Sequence, residues 1–165
     1  MKIICLASQK GGVGKTTSAH ALGSLLAERG RAVLLVDLDP QGNATMGSGV
    51  DKRALLRTVY HALVNNQRLT DIRITSTSGK YDLIPANRDL AGAEIEMVGL
   101  PRREMRLKDS LEKVKSEYDF ILLDCPPALN LLTLNGLCAA NAVMIPMQCE
   151  YYALEGFSDL VNTIK

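Results

Sequence analysis

Residues 9–17, Gln9-Lys10-Gly11-Gly12-Val13-Gly14-Lys15-Thr16-Thr17, lie between a short apolar run at 3–7 and a run in which alanine and leucine recur at helical spacing. Glycines allow successive backbone N–H groups to converge on phosphate oxygens, and the helix that follows adds its positive N-terminal end. Lys15 can neutralise β- and γ-phosphate charge, and Thr16 can ligate Mg²⁺. The stretch therefore predicts a phosphate-binding loop between a buried strand and a helix.

Apolar runs alternate with amphipathic segments along the rest of the chain, and this alternation predicts an α/β fold with a mostly parallel sheet. Further strands are predicted at 32–37, 81–86, 120–124 and 142–147, and helices at 15–29, 51–65, 89–97, 101–115, 131–140 and 154–164. The polar stretch 65–80 fits either a loop or a short edge strand. A strand, a crossover helix and a second strand in this order imply right-handed parallel units.

The composition indicates one compact domain. The chain has 165 residues, of which 47% are hydrophobic, and its 19 basic and 18 acidic residues leave a formal net charge of +1. Such a balance gives no bulk attraction to nucleic acid or to a membrane surface. The charged segment 102–117 mixes both signs, which favours a solvated helix face over a nucleic-acid patch.

The cysteines and the first residues bear on the cellular compartment. Cys5, Cys125, Cys138 and Cys149 lie far apart in or beside apolar runs and form no CxxC pair, which favours reduced core thiols in a cytosolic protein. The apolar run at the N-terminus enters the loop without a charged leader or a cleavage site, so neither a signal peptide nor a membrane span is predicted.

Three aspartates follow predicted strands. Asp124 comes after four apolar residues and has the position of a Walker B carboxylate that acts on Mg²⁺ directly or through water. Asp37 and Asp39 end the second strand at the same pole of the sheet, where one of them could orient a water molecule. The alternatives are that Asp39 starts a turn before Pro40, that Asp37 caps a neighbouring segment, and that Asp124 is an N-cap or a turn carboxylate.

The loop departs from the usual GxxxxGK[ST] pattern, because Gln9 stands at the first glycine position and Lys10 precedes the double glycine. A second lysine here is either a solvated surface charge or an additional phosphate ligand. Lys10 comes too early in the loop to reach its own γ-phosphate, but it could serve the nucleotide of a partner.

These segments resemble a known family. Residues 10–17 are similar to the deviant Walker A loop of the ParA/MinD ATPases, residues 34–43 to their switch I and residues 122–127 to their switch II. Residues 85–87, 89–94 and 148–156 are similar to stretches of chromosomal ParA proteins of the Soj type. The resemblance covers residues 1–165 and implies a single P-loop NTPase-like domain with helices on both faces of the sheet. It also implies that the chain is the N-terminal two thirds of the usual domain, without its C-terminal strands.

The resemblance implies roles for the loop and the carboxylates. Lys10 would reach across a dimer to the partner's phosphates, and Lys15 would act in cis. Thr16 would bind Mg²⁺, Asp39 would position the hydrolytic water and belong to the metal site, and Asp124 would support the metal's shell. The rest of the implied nucleotide-binding set is Gly11, which would leave room for the partner subunit, Gly12, Val13, Gly14, and Thr17, which would contact the α-phosphate.

The function implied by the resemblance is an ATP-dependent homodimeric switch that hydrolyses ATP with Mg²⁺ during chromosome or plasmid partitioning. Such a protein is cytoplasmic and nucleoid-associated, has no membrane partner, binds DNA non-specifically through a region beyond Lys165, and responds to a ParB-type partner. Three alternatives stay open: a MinD-like cargo-positioning ATPase, a dethiobiotin-synthetase-like phosphotransferase or ligase, and a nucleotide-binding module without turnover.

Overall fold

A computed structural model describes residues 1–147 and Val161. This part of the chain contains a six-stranded sheet made of β1 (Lys2–Leu6), β2 (Val33–Asp37), β3 (Ile74–Thr75), β4 (Asp82–Ile84), β5 (Phe120–Asp124) and β6 (Ala142–Met144). The strand order is β3-β4-β2-β5-β1-β6, and every neighbouring pair is parallel except β3 and β4. The predicted mostly parallel sheet is confirmed, and the stretch 65–80 supplies the antiparallel edge strand.

Helices connect the strands. The α-helices in the described residues are α1 (Lys15–Glu28), α2 (Asn43–Gly47), α3 (Val59–Leu63), α4 (Leu90–Glu96), α5 (Arg106–Leu111) and α6 (Leu131–Ala139). Short 3₁₀ turns lie at Leu69–Asp71, Met97–Gly99, Arg103–Met105 and Lys115–Glu117. Helix α1 ends where Gly30 adopts a φ of 76°, the left-handed conformation of a glycine cap.

The sheet buries both of its faces. Alternate residues of β2 and β5 divide between two apolar clusters, because successive side chains of a strand point to opposite faces. Leu35 and Leu122 pack with Ala19 of α1 on one face. Leu34 and Ile121 pack on the other face with residues of α3, α4, α5 and α6. Helices therefore cover both faces, as the resemblance implies.

The strand register aligns three strand ends. Leu6 of β1 and Asp37 of β2 are both paired with Asp124 of the central strand β5. The phosphate-binding loop after β1 and the segments after β2 and β5 therefore leave the sheet side by side at its carboxyl edge.

The predicted helix at 51–65 is wrong over its first half. Only Val59–Leu63 is helical, and Leu56, which was expected on the apolar face, is 90% exposed. The Asp51 carboxylate accepts the backbone N–H of Arg53 at 3.0 Å, a local bond that competes with helix formation. Helix α3 begins at Val59, after its N-cap Thr58, whose backbone N–H donates to Nδ1 of His61 at 3.1 Å.

The helix predicted from Pro101 begins later than expected. Arg102 has a φ of 52°, which interrupts a regular helix, and a 3₁₀ turn precedes α5. The apolar stripe itself is confirmed, since Leu107, Leu111 and Val114 are buried. The last predicted strand is shorter than expected and ends at Met144. The expected helix at 154–164, apart from Val161, and the ParA-like stretch 148–156 lie outside the described residues.

The buried thiols agree with the sequence interpretation. Cys5 and Cys125 are buried free thiols with their Sγ atoms 3.3 Å apart, and Cys138 is a half-buried free thiol. Cys149 lies outside the described residues. Within residues 1–147, and at Val161, no helix has the length and apolar character needed to cross a bilayer.

Candidate functional site

The loop after β1 takes conformations that glycine favours. Gly12 has a φ of 74°, and Gly14, the N-cap of α1, has a φ of 92°. A Cβ at Gly11, Gly12 or Gly14 would meet no atom within 4 Å, so the space beside these three glycines is open. The loop therefore combines left-handed backbone turns with free space in front of a helix N-terminus, the arrangement that receives a phosphate.

Lys15 is the buried cation of the loop. Its side chain is 7% exposed, and its Nζ donates to the backbone carbonyl of Lys10 at 3.2 Å. Burial lowers the pKa of Lys15, while the negative charges of Asp124 and Asp39 act in the opposite direction. The ammonium group is thus held by the loop itself and lies near enough to two carboxylates for their charges to stabilise it.

Thr16 and Asp124 form the central polar pair. The Thr16 hydroxyl donates to Oδ2 of Asp124 at 2.7 Å. The second oxygen, Oδ1, is buried and has no hydrogen-bond partner in the described part of the chain. Burial raises the pKa of Asp124 to about 6, helped by the charge of Asp39 and opposed by the Thr16 hydrogen bond and Lys15. A buried oxygen without a partner is costly, so this oxygen is available to a cation or to a cation's water.

Asp37 is fully buried beside the site. Its Oδ2 accepts the backbone N–H of Thr45 at 2.8 Å and the Thr45 hydroxyl at 2.7 Å, and its Oδ1 accepts the backbone N–H of Asp39 at 3.0 Å. Burial raises the pKa of Asp37 to about 7, helped by the charge of Asp124 and opposed by these hydrogen bonds. These hydrogen bonds agree with the alternative that Asp37 caps a neighbouring segment, because they hold Thr45 of α2 and the backbone of Asp39.

Asp39 is half-buried and lies at the mouth of the site. Its Oδ1 accepts the backbone N–H of Gln41 at 2.8 Å, so it also closes the turn that the alternative interpretation predicted. The same side chain lines the cleft in front of the loop. Asp39 therefore both closes the turn and lines the cleft.

A cleft of about 350 Å³ opens in front of the loop. Its lining residues are Gly11, Gly12, Gly14, Lys15, Thr16, Thr17, Asp39, Gln41, Asn43 and Pro127. The first seven were predicted as site residues from the sequence. Gln41, Asn43 and Pro127 were not, although each follows a strand that ends in a predicted carboxylate. Val13, the exposed Lys10 and Asp124 are not among the lining residues, so their proposed contacts stay predictions. Asp124 reaches the cleft only through its hydrogen bond with the lining residue Thr16.

Comparison with known proteins places the chain in a family. The AAA domain family AAA_31 matches residues 1–165. The sporulation initiation inhibitor protein Soj of Bacillus subtilis is 55% identical over 164 residues, covering 99% of this chain and 65% of Soj. The chromosome-partitioning ATPase Soj of Treponema pallidum is 51% identical, covering 99% of this chain and 64% of that protein. The chain belongs to the ParA/MinD family.

A solved structure shares the fold of this ParA/MinD chain. The cobyrinic acid a,c-diamide synthase of Mycobacterium smegmatis with bound ATP analog and magnesium has a TM-score of 0.95 and 43% identity, covering 99% of this chain and 67% of that one. The chain spans about 65% of the length of the Soj relatives.

The residues present fit a magnesium nucleotide. Mg²⁺ prefers oxygen ligands, and one or two protein oxygens commonly hold it together with substrate phosphates. Thr16 and Asp124 supply such oxygens, and the partnerless Oδ1 of Asp124 gives a specific reason to expect a cation nearby. Among the described residues no group of three His, Cys, Asp or Glu side chains could hold a metal ion.

Proposed function

We propose that the chain is the nucleotide-binding part of an ATP-hydrolysing switch that dimerises with ATP and serves chromosome or plasmid partitioning. The observation that carries this proposal is the Thr16–Asp124 pair, with a partnerless carboxylate oxygen, beside the buried Lys15. Residues 1–165 would act as one P-loop domain. The names of the partitioning relatives support the assignment at the level of the family.

Binding of ATP would begin at the loop. The open glycine backbone would surround the phosphates, and Lys15 would neutralise their charge. Thr16 and Asp124 would hold Mg²⁺, which supplies charge neutralisation of the β- and γ-phosphates when it is bound. Ionisation of Asp124 costs more in the folded protein without ligands than in water, because burial raises its pKa to about 6. Binding of the cation would therefore stabilise the charged carboxylate.

Hydrolysis would depend on Asp39. Its carboxylate lines the cleft, and its backbone is held by Asp37, so it is placed to orient a water molecule. We expect Asp39→Ala to lower the rate of phosphate release at least tenfold with ATP affinity retained, whereas Lys15→Ala should weaken ATP affinity itself. Phosphate release and ATP titration measure the two effects. An Asp39→Ala rate equal to that of the wild type would refute the water-positioning role, and the exposed Asp109→Ala serves as the control.

Dimerisation would involve Lys10. Its backbone carbonyl anchors Lys15, and the residue lies on the exposed side of the loop, from which a side chain can reach a second subunit. Lys10→Ala should abolish nucleotide-dependent dimers in light scattering, while monomeric ATP binding is partly retained. The exposed Lys113→Ala is the matched control, and unchanged dimerisation of Lys10→Ala would exclude the trans role.

The partners follow from the same proposal. Non-specific DNA and a ParB-type protein would act on the ATP-bound dimer, and the protein would be cytoplasmic and nucleoid-associated. The test is ATP turnover of the complete gene product, measured with and without DNA and a candidate ParB peptide. Equal turnover in all conditions would argue against a partitioning switch.

A second candidate is an ATP-dependent synthase, since one structural relative at 43% identity bears the name cobyrinic acid a,c-diamide synthase. A dethiobiotin-synthetase-like phosphotransferase belongs to the same class. Such an enzyme couples ATP cleavage to an acceptor. Multiple turnovers of ATP without any small-molecule acceptor would favour the switch, and strict dependence on an acceptor would favour the synthase.

A further inference from the structure

A buried polar bridge joins the phosphate-loop helix α1 to α2. His20 of α1 contacts the Tyr81 hydroxyl through Nδ1 at 2.8 Å, and the same hydroxyl lies 3.0 Å from Oγ of Ser48. Ser48 is the C-cap of α2, and its hydroxyl donates to the carbonyl of Ala44 at 2.8 Å. The bridge thus connects two helices whose N-terminal ends both reach the cleft.

The imidazole tautomer sets the direction of the His20–Tyr81 contact, and either hydroxyl can donate between Tyr81 and Ser48. Nε2 of His20 is buried and has no hydrogen-bond partner among the described residues. The backbone carbonyl of Asn43 lies close enough to raise the pKa of His20, although burial lowers it more.

Three glycines provide the space for the bridge. A Cβ at Gly47 would lie 2.3 Å from Nε2 of His20, and a Cβ at Gly79 would lie 1.9 Å from the Tyr81 ring. A Cβ at Gly23 of α1 would lie 3.3 Å from the same ring. None of these glycines has a positive φ, so their shared property is the room they leave for two side chains. The pair is therefore fitted directly against the backbone of both helices.

The other end of α2 is fixed at the cleft. Thr45 donates twice to Asp37, and its hydroxyl accepts the backbone N–H of Ala86 at 2.9 Å. Asn43, the first residue of α2, lines the cleft together with Asp39. Because α2 has only five residues, the hydrogen bonds at its Ser48 end and those at Thr45 together set the position of Asn43 at the cleft.

We propose that His20, Tyr81 and Ser48 are positioning residues for ATP hydrolysis, which transmit the position of α1 to α2 and so hold the segment 39–43 in its reactive arrangement. This inference rests on the proposed function. The three side chains do not line the cleft and act through the helices that they connect.

Tyr81→Phe tests the bridge by removing one hydroxyl. We expect kcat for ATP to fall about tenfold while ATP affinity stays within about twofold, because a misplaced catalytic segment affects the reaction more than binding. Tyr118→Phe is the matched control. It removes another hydroxyl with protein partners, the one that donates to Asp82 at 2.8 Å and accepts from Arg73, and should leave kcat unchanged.

Gly47→Ala tests the same bridge without altering a bridge side chain. Alanine at a helical position normally stabilises a helix relative to glycine, but here its Cβ would displace the His20 ring. We expect kcat to fall about as much as in Tyr81→Phe, with ATP affinity retained. Folded Tyr81→Phe and Gly47→Ala proteins with wild-type kcat would overturn the proposal.

Hydrogen exchange separates this inference from the proposed function. ATPγS should protect the amides of residues 43–50 in the wild type and in Tyr118→Phe, and this protection should be lost in Tyr81→Phe. A wild type that does not hydrolyse ATP would contradict the proposed function, while this loss of protection would still support the bridge. Equal protection in the wild type and Tyr81→Phe would overturn the bridge whatever the rate of hydrolysis.

Discussion

Replacement of Asp124 by Asn should stabilise the protein without ligands at neutral pH. The folded protein raises the pKa of this carboxyl from 3.8 to about 6, so folding favours its protonated form. The stabilisation by this group is complete below pH 4 and is lost as the pH rises through about 6. Two pKa units correspond to about 3 kcal/mol, and asparagine, which does not ionise, avoids this loss and can still accept the Thr16 hydrogen bond.

The assay is urea unfolding at pH 4.5 and pH 7.5 of the wild type and Asp124→Asn, without Mg²⁺ or nucleotide. The free-energy difference in favour of the variant should grow by about 2–3 kcal/mol between these pH values. The charge of Asp124 also raises the pKa of Asp37. Removal of this charge in Asp124→Asn should therefore add to the growth of the free-energy difference. The control Asp109→Asn changes a side chain that is 51% exposed and should show no such growth.

Addition of Mg²⁺ and ATPγS at pH 7.5 should make the wild type more stable than Asp124→Asn. The bound cation would stabilise the ionised Asp124 of the wild type, and the variant would lose that contribution. An Asp124→Asn protein that is less stable than the wild type at pH 7.5 without ligands would refute the argument from burial. Equal stabilisation of both proteins by the magnesium nucleotide would refute the role of Asp124 at the metal.

Two further substitutions test the supporting structure. Thr45→Val removes a hydroxyl that donates to Asp37 and accepts from Ala86, so the free energy of unfolding should fall by about 1–3 kcal/mol, and an unchanged urea midpoint would contradict this. Gly14→Ala places a Cβ on a residue with a φ of 92°, which should cost about 1–2 kcal/mol and weaken ATP binding in a fluorescence titration. Gly99→Ala, at a position without a positive φ, should be nearly neutral.

The sheet and the carboxylates at its edge could be predicted from the sequence because the signals are local. Strands buried on both faces are apolar throughout, and the runs that end in Asp37 and Asp124 are of this kind. Parallel strands bring such ends to one edge, so the neighbourhood of the loop and both aspartates follows from chain order.

Helix α2 and the wrong helix at 51–65 show where local signals fail. Helix α2 has five residues and no apolar periodicity, and its position depends on Asp37 binding Thr45 eight residues away. The segment after Asp51 has helical spacing of leucines, but the carboxylate binds the Arg53 N–H, and Leu56 remains in solvent. In both cases a side-chain to backbone bond determines the conformation.

The bridge between His20 and Tyr81 had no sequence signal, because 61 positions separate the two residues. Neither residue belongs to a motif, and a histidine on an amphipathic helix does not by itself indicate a hydrogen-bond partner. Only the folded arrangement brings the imidazole and the phenol together against three glycines.

The register of β1, β5 and β2 limits which parts of the molecule can move during a nucleotide cycle. Leu6, Asp124 and Asp37 are neighbours in adjacent parallel ladders, so their relative positions cannot change unless backbone hydrogen bonds in the centre of the sheet break. The strand ends therefore keep fixed positions relative to one another at the site. The phosphate-binding loop and the segment that contains Asp39, Gln41 and Asn43 line the cleft but lie outside these strand ladders.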